Sequence, residues 1–180
     1  MILGVVLAGG QSTRFGSDKA LAEFGGQTLL ARAFDTLTGF CELVVIAGRD
    51  KGPGHVIPDW PHPNMGPLAG IAAALRLACD EGYEAVLSCG VDSIGLPNNL
   101  LELLSPGPAY LESQPVVGLW PVGTVKPLET LLLSEAKHSM LAFAEAVGAT
   151  AVKIGTKPAN INTPADLSAL GASMERNDGI

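Results

Sequence analysis

Long apolar runs are missing from this chain of 180 residues. No stretch approaches the roughly 18 consecutive apolar residues of a membrane-spanning helix, and no basic region precedes the first apolar run, so neither a membrane span nor a signal peptide is expected and the protein should be cytosolic. Cysteine is scarce: Cys41, Cys79 and Cys89 are an odd number without metal-ligand spacing, which excludes a disulfide framework and leaves free buried thiols as the expectation. Histidine is scarcer in meaning than in number, since His55, His62 and His138 show no spacing that argues a metal or general-base role. Positive charge is short too. Eleven Lys and Arg against 18 Asp and Glu give a net charge of −7, which argues against nucleic acid or an anionic membrane as partner. Such a chain can bind a polyphosphate only where backbone amides, a few cations and a metal override the overall field.

What is present starts at the N-terminus. Gly4-Val5-Val6-Leu7 reads as a buried strand that breaks at Ala8-Gly9-Gly10, and the glycines allow close backbone approach. The loop that follows, up to Lys19, is suited to an anion: its N–H groups can converge, and Arg14 and Lys19 add full positive charges. Its spacing fits neither G-x-G-x-x-G nor the P-loop, because Gly16 lies one place too far from Gly10 and is followed by Ser17 instead of Lys.

Further along, Gly25-Gly26 marks a turn, and Thr28 caps a helix with apolar residues at 29, 30, 33, 34 and 37, ended by Gly39. Leu43 to Ala47 is a strand, and the succession strand, helix, strand is that of a parallel βαβ unit. His55 to Ile57 is a short extended piece. Pro67 opens a helix whose buried face is Leu68, Ile71, Leu75 and Leu77 or Ala78, ending before Gly82, and Gly66 and Gly70 would let a ligand or a neighbour pack close to its N-terminus. Ala85 to Cys89 is another buried strand. Asp92 stands just past its C-terminal end, where open α/β sheets place ligands, and its hard oxygens suit Mg²⁺; a turn-capping role is the structural alternative. A short helix follows around Leu100 to Leu104, then extended segments at 109–112 and 116–120 separated by Ser113-Gln114-Pro115, helices at 127–133 and 139–147, and a strand at 151–154. Trp120 reads as core. Thr163, Pro164 and Asp166 form a helix start, and Asn160 and Asn162 present alternate side chains of an extended segment to one ligand. Residues 1–171 make one domain and 172–180 a tail.

Three motifs together resemble the molybdenum cofactor guanylyltransferases, a group of MobA-like nucleotidyltransferases. They are L-A-G-G-x-S-x-R-x-G-x-D-K from Leu7 to Lys19, Asp59 followed by G-P-L-A-G-I, and N-x-N-T-P-x-D-L from Asn160 to Leu167. The resemblance implies a Rossmann-like three-layer α/β/α nucleotidyltransferase fold with a mostly parallel sheet. It implies that Leu7, Ala8, Gly9 and Gly10 line the nucleotide, Lys19 neutralises its phosphates with Arg14, Asp59 helps hold the nucleoside, Asp92 ligates Mg²⁺, and Asn160 and Asn162 sit near the metal and the incoming pterin phosphate. This sequence departs from the pattern at Ile94, where the family usually has Pro, and at Ile46-Ala47-Gly48-Arg49, which lacks the Asn often found there.

The activity so implied is transfer of GMP from GTP to molybdopterin with release of pyrophosphate, with molybdoenzyme-specific chaperones as candidate recipients of the product. Alternatives within enzymes are a cytidylyltransferase on the same pterin, whose relatives tend to read L-A-A-G, or a sugar nucleotidyltransferase. Gly9 points to guanine if a Cβ there would crowd the base. From another class, a non-catalytic nucleotide-binding homologue is the alternative. A nicotinamide oxidoreductase is disfavoured by the glycine spacing.

Overall fold

A computed structural model of the chain describes residues 1–9, 18–155, 159–160, 165–166 and 168–169. In chain order the elements are β1 (Ile2–Leu7), β2 (Glu23–Phe24), β3 (Gln27–Thr28), α1 (Leu29–Thr38), β4 (Leu43–Ala47), β5 (His55–Ile57), α2 (Pro67–Glu81), β6 (Ala85–Gly90) and β7 (Ser93–Ile94). They continue with α3 (Leu100–Leu104), β8 (Ala109–Leu111), β9 (Gln114–Pro121), α4 (Val125–Leu132), α5 (Met140–Ala146), β10 (Thr150–Val152) and β11 (Ala159–Asn160). Short 3-10 turns occur at Lys19–Leu21 and Val122–Thr124.

The main sheet has seven strands in the order β10-β8-β9-β6-β1-β4-β5. Strands β5, β4, β1 and β6 are mutually parallel, β9 runs antiparallel to both β6 and β8, and β10 is parallel to β8. Side chains of these strands alternate between two cores because successive residues point to opposite faces. Leu3, Val5 and Leu7 of β1, Val86 of β6 and Trp120 of β9 pack with Leu68, Ile71 and Leu75 of α2, Leu128 of α4 and Phe143 of α5. On the other face, Val6, Val44, Ile46, Leu87 and Leu119 pack with Leu30, Ala33 and Leu37 of α1 and with Leu100 and Leu104 of α3. Two helical layers thus sandwich one mostly parallel sheet, as expected, and continuous apolar runs such as Val44-Val45-Ile46 follow from burial on both faces. No helix among the described residues is long and apolar enough to cross a membrane.

Local chemistry accounts for the element ends. Thr28 caps α1 by accepting from the Ala31 N–H, and Ser139 caps α5 by accepting from that of Ala142. Pro67 is the first residue of α2, and Gly82 closes it at φ +78. The buried face of α2 includes Ala78, while Leu77 is only partly buried, which resolves that alternative in favour of Ala78. Trp120 is fully buried, its indole N–H donating to Ser88 Oγ at 2.9 Å.

Several boundaries differ from the sequence reading. Helix α4 starts at Val125, two residues before Pro127, because a proline in the first turn gives up an N–H that has no intrahelical partner anyway. Strand β9 begins at Gln114 and takes in Pro115, beside a register shift opposite Tyr110 and Leu111, the kind of irregularity that tolerates a missing donor. The last strand of the main sheet is 150–152, not 151–154. Of the three cysteines expected to be buried only Cys89 is; Cys41 is half-buried and Cys79, toward the end of α2, is exposed. The closing helix start at Thr163 and Pro164 and the tail at 172–180 lie outside the described residues.

Candidate active site

Strand register sets the floor of the site. Leu7 pairs with Ala47 of β4 on one side and with Gly90 of β6 on the other, and Ala47 pairs with Ile57 of β5, so the parallel strands finish level at one rim. From β1 the chain leaves to one side for β4 and returns over α2 to β6 on the other. This is the topological switch point where open α/β sheets bind ligands. A cavity of about 1110 Å³ opens there, and Leu7, Ala8, Gly9, Lys19, Asp59 and Asp92 all line it.

Lys19 begins a 3-10 turn whose cap is Asp18, the Asp18 side chain accepting from the Ala20 N–H. Its Nζ donates to Asp92 Oδ2 at 2.8 Å, with the two side chains 14% and 23% exposed. That burial separates the pair from surface ion pairs, which contribute little. Asp92 is folded back over the strand end: Ile94 N–H donates to the Asp92 carbonyl at 3.0 Å, and Gly90 N–H donates to Ser93 Oγ at 3.2 Å. A Cβ on Gly90 would stand 2.7 Å from Asp92 Oδ1, so glycine there makes room for the carboxylate. Ile94, at the position of the family proline, is buried against Phe24 and Leu29.

Asp59 is half-buried on the opposite wall, and burial pushes its carboxyl above the usual carboxylate range. Nearby, a Cβ on Gly70 would stand 2.7 Å from Leu7 Cδ2 and 2.9 Å from Ala47 Cβ; this glycine lets α2 pack onto the strand ends, so at Gly70 the neighbour is protein. Gly66 faces open space and is required for its φ of +74 as the cap of α2.

Gly9 also has a protein neighbour. A Cβ there would stand 3.0 Å from Gly48 Cα and 3.2 Å from Gly48 O, so an alanine would crowd the residue that follows β4. The reverse contact is tighter: a Cβ on Gly48, whose φ is +85, would come within 2.4 Å of Gly9 N. The two strand ends touch backbone to backbone.

Beyond the residues singled out from sequence, the site holds Arg49, Asp18 and a wall at 113–116. Arg49 Nη2 and Nη1 donate to Asp18 Oδ2 at 2.8 Å and Oδ1 at 3.2 Å, and this guanidinium holds the Asp18 carboxyl below its ordinary range. The only sequence signal for Arg49 was its position just past a strand that ends in glycine. Nothing in the sequence joined it to Asp18, 31 residues away.

Asn160 stands opposite Ser93 in the antiparallel pairing of β11 with β7, so the backbone at Ala159 and Asn160 runs beside the segment that follows Asp92. Gly10, Arg14 and Asn162 lie outside the described residues.

The electrostatics of the cavity are unusual for an anion site. Among the described residues lining it, Asp18, Asp50, Asp59 and Asp92 outnumber Lys19 and Arg49. Both cations are already engaged with acids. No group of three or more His, Cys, Asp or Glu side chains converges among the described residues. A single partly exposed carboxylate is nevertheless the donor set Mg²⁺ accepts, since it takes one or two protein carboxylates and completes its octahedron with water and phosphate oxygens. Asp92, seated in the space left by Gly90, fits that requirement.

Comparisons with known proteins agree with one another. Residues 4–153 match the family described as the MobA-like NTP transferase domain. The chain is 35% identical over 191 residues to the molybdenum cofactor guanylyltransferase of Rhodobacter capsulatus, covering 98% of each chain. It is 35% identical to that of Acidiphilium cryptum, covering 93% of each. Among solved structures, molybdopterin-guanine dinucleotide biosynthesis protein A from Archaeoglobus fulgidus superposes with a TM-score of 0.76 over 97% of this chain and 99% of that one, at 21% identity. A CMP:2-keto-3-deoxy-manno-octonic acid synthetase, solved with CTP, gives 0.70 at 14% identity, covering 98% and 99%. At such identities the structural likenesses bear on the fold.

Proposed function

Because the chain belongs to the MobA-like NTP transferase family, we propose that it transfers GMP from GTP to the terminal phosphate of molybdopterin, releasing pyrophosphate and forming the molybdopterin guanine dinucleotide. The observation that carries this reading is the meeting of Lys19 and Asp92 at 2.8 Å in a cavity at the sheet's switch point.

The step joins two phosphates. An oxygen of the pterin phosphate forms a bond to the α-phosphorus of GTP, the bond from that phosphorus to its bridging oxygen breaks, and pyrophosphate leaves with the electron pair. The attacking oxygen is already ionised at neutral pH, so the barrier lies in alignment and charge repulsion and no general base is needed. Leu7, Ala8 and Gly9, with Gly10 beyond them, offer backbone groups to the nucleotide at the strand ends. Asp59 stands where it can accept from a nucleoside donor. Lys19, joined by Arg14, neutralises the triphosphate as charge builds on the departing pyrophosphate, a form of preorganised electrostatic stabilisation. Asp92 would hold Mg²⁺, which when bound supplies the missing positive charge to the phosphates. The resemblance assigns Asn160 and Asn162 to the side of the second substrate.

The test is to incubate the purified protein with Mg²⁺, molybdopterin and each of the four nucleoside triphosphates in turn, following pyrophosphate and dinucleotide product. Turnover with GTP alone is the expected result. Equal or better turnover with CTP would make it a cytidylyltransferase, and GTP binding without pyrophosphate release would make it a non-catalytic homologue.

A further inference from the structure

The turn that carries Lys19 is too short to hold itself. It is three residues long, closed by Leu21 N–H to the Asp18 carbonyl at 3.0 Å and Ala22 N–H to the Lys19 carbonyl at 3.1 Å, and isolated turns of this size are marginal. Its anchor is the Asp18 carboxylate. Oδ1 accepts from the Ala20 N–H at 3.1 Å, inside the turn, while both oxygens accept from the guanidinium of Arg49, two residues past the end of β4. Arg49 is itself held in place: it follows Gly48, whose backbone lies against Gly9, and its side chain is only 17% exposed. Its Nε is buried without a hydrogen-bond partner among the described residues, a cost that keeps the fork aimed in one direction only if the two Nη contacts repay it.

We infer that Arg49 is a positioning residue: its two-point ion pair with Asp18 fixes the 3-10 turn against the end of β4 and thereby sets Lys19 at the depth where it meets Asp92. The inference rests on the nucleotidyltransferase reading, in which Lys19 engages the triphosphate. Arg49 acts through Asp18 and need not touch the nucleotide. Losing the clamp leaves the Lys19 ammonium in place chemically but mispositions it, and misplacements on the order of 1 Å cost up to about a hundredfold.

The experiment is a double-mutant cycle on Arg49→Ala and Asp18→Ala, with Arg49→Lys and Asp18→Asn alongside. It is read by equilibrium binding of a fluorescent GTP analogue with Mg²⁺ and by KM and kcat for GTP. Each alanine variant is expected to lower kcat for GTP by roughly tenfold or more, because Lys19 acts on the departing pyrophosphate, and to raise the Kd for the nucleotide as well. The double variant should be no worse than either single, because both remove one and the same contact. Arg49→Lys, which keeps the charge but not the fork, should fall between wild type and Arg49→Ala. Multiplying effects in the double variant would overturn the inference, as would a large loss in Arg49→Ala with none in Asp18→Ala, which would make Arg49 a direct ligand. Wild-type affinity in Arg49→Ala would overturn it too. If the alanine variants fail to fold by circular dichroism, the cycle is run on Arg49→Lys and Asp18→Asn, with the same readings. A wild-type protein that binds no GTP would defeat the nucleotidyltransferase reading itself, which separates that failure from a failure of the clamp.

Discussion

Lys19 Nζ lies 2.8 Å from Asp92 Oδ2 although 73 positions separate them in sequence. One residue enters from the turn that follows the glycine-rich loop and the other from the end of β6, so the contact exists only because β1 and β6 are neighbours in register. A sheet with any other strand order at this point would leave the cation and the acid apart.

Removing either partner tests the site most directly. Asp92→Ala and Lys19→Ala are each expected to lower turnover by about two orders of magnitude or more, the scale of losing one preorganised electrostatic contact to a charged transition state. Steady-state pyrophosphate release measures it, with circular dichroism to show that the fold persists. Near-normal turnover in Asp92→Ala would remove the metal assignment.

Gly48→Ala should be the more damaging of the two glycine substitutions at the strand ends. Its Cβ would meet Gly9 N at 2.4 Å and Gly9 Cα at 2.5 Å, backbone atoms that cannot rotate away, at a φ of +85. Strain and overpacking together should cost about 2–4 kcal/mol, read from denaturant unfolding. Gly9→Ala, whose nearest contact is 3.0 Å, should cost clearly less. An equal loss in both would mean that the strand ends spread freely.

Asp59 sets up a trade between stability and binding. Burial raises its folded-state pKa, so the folded protein holds the proton more tightly than the unfolded chain. Stability therefore falls as pH rises from the ordinary Asp value through the raised one, and is flat above both. Asp59→Asn removes this dependence: its melting temperature should match wild type at low pH and exceed it near neutrality, while its KM for GTP rises. A melting temperature below wild type at neutral pH would show that the ionised carboxylate stabilises the fold.

The thiols differ enough to be told apart chemically. Burial pushes the Cys41 thiol up to about 12 and that of Cys89 higher still, whereas Cys79 is exposed. One equivalent of a thiol reagent on the native protein should modify Cys79 alone, as peptide mass mapping will show. Cys79→Ser should then resist labelling at neutral pH.

Much of the fold was legible because its signals are local. Val44-Val45-Ile46 and Ala85 to Cys89 announce doubly covered strands, and Thr28, Pro67 and Gly82 mark helix ends by their own backbone chemistry. Asp92 could be singled out from its place past a strand end and Lys19 from its charge in a glycine-rich loop, whereas Asp59 stood out only through the motif shared with the family. Arg49 could not, since its partner Asp18 caps a turn 31 positions away and an arginine after a strand is ordinarily a solvated one. Gly9 shows the same limit: a missing Cβ says that something comes close, and only the register of β1 against β4 shows that Gly48 is one such neighbour. Exposure of Cys79 was hidden because an amphipathic helix with alanine on most faces does not declare which side meets water.

The direction of β9 carries a last implication. Since it runs against β6, with Ser88 opposite Gly118, its opening residues Gln114 to Val116 reach the same edge as Gly90, where the six other strands of the sheet have only their carboxyl ends to offer. One reversed strand thus turns a shallow ledge into a trough with a far bank, and that bank lies across Asp92 from Asp59. A chain with β9 turned the other way would present carboxyl ends alone along that rim.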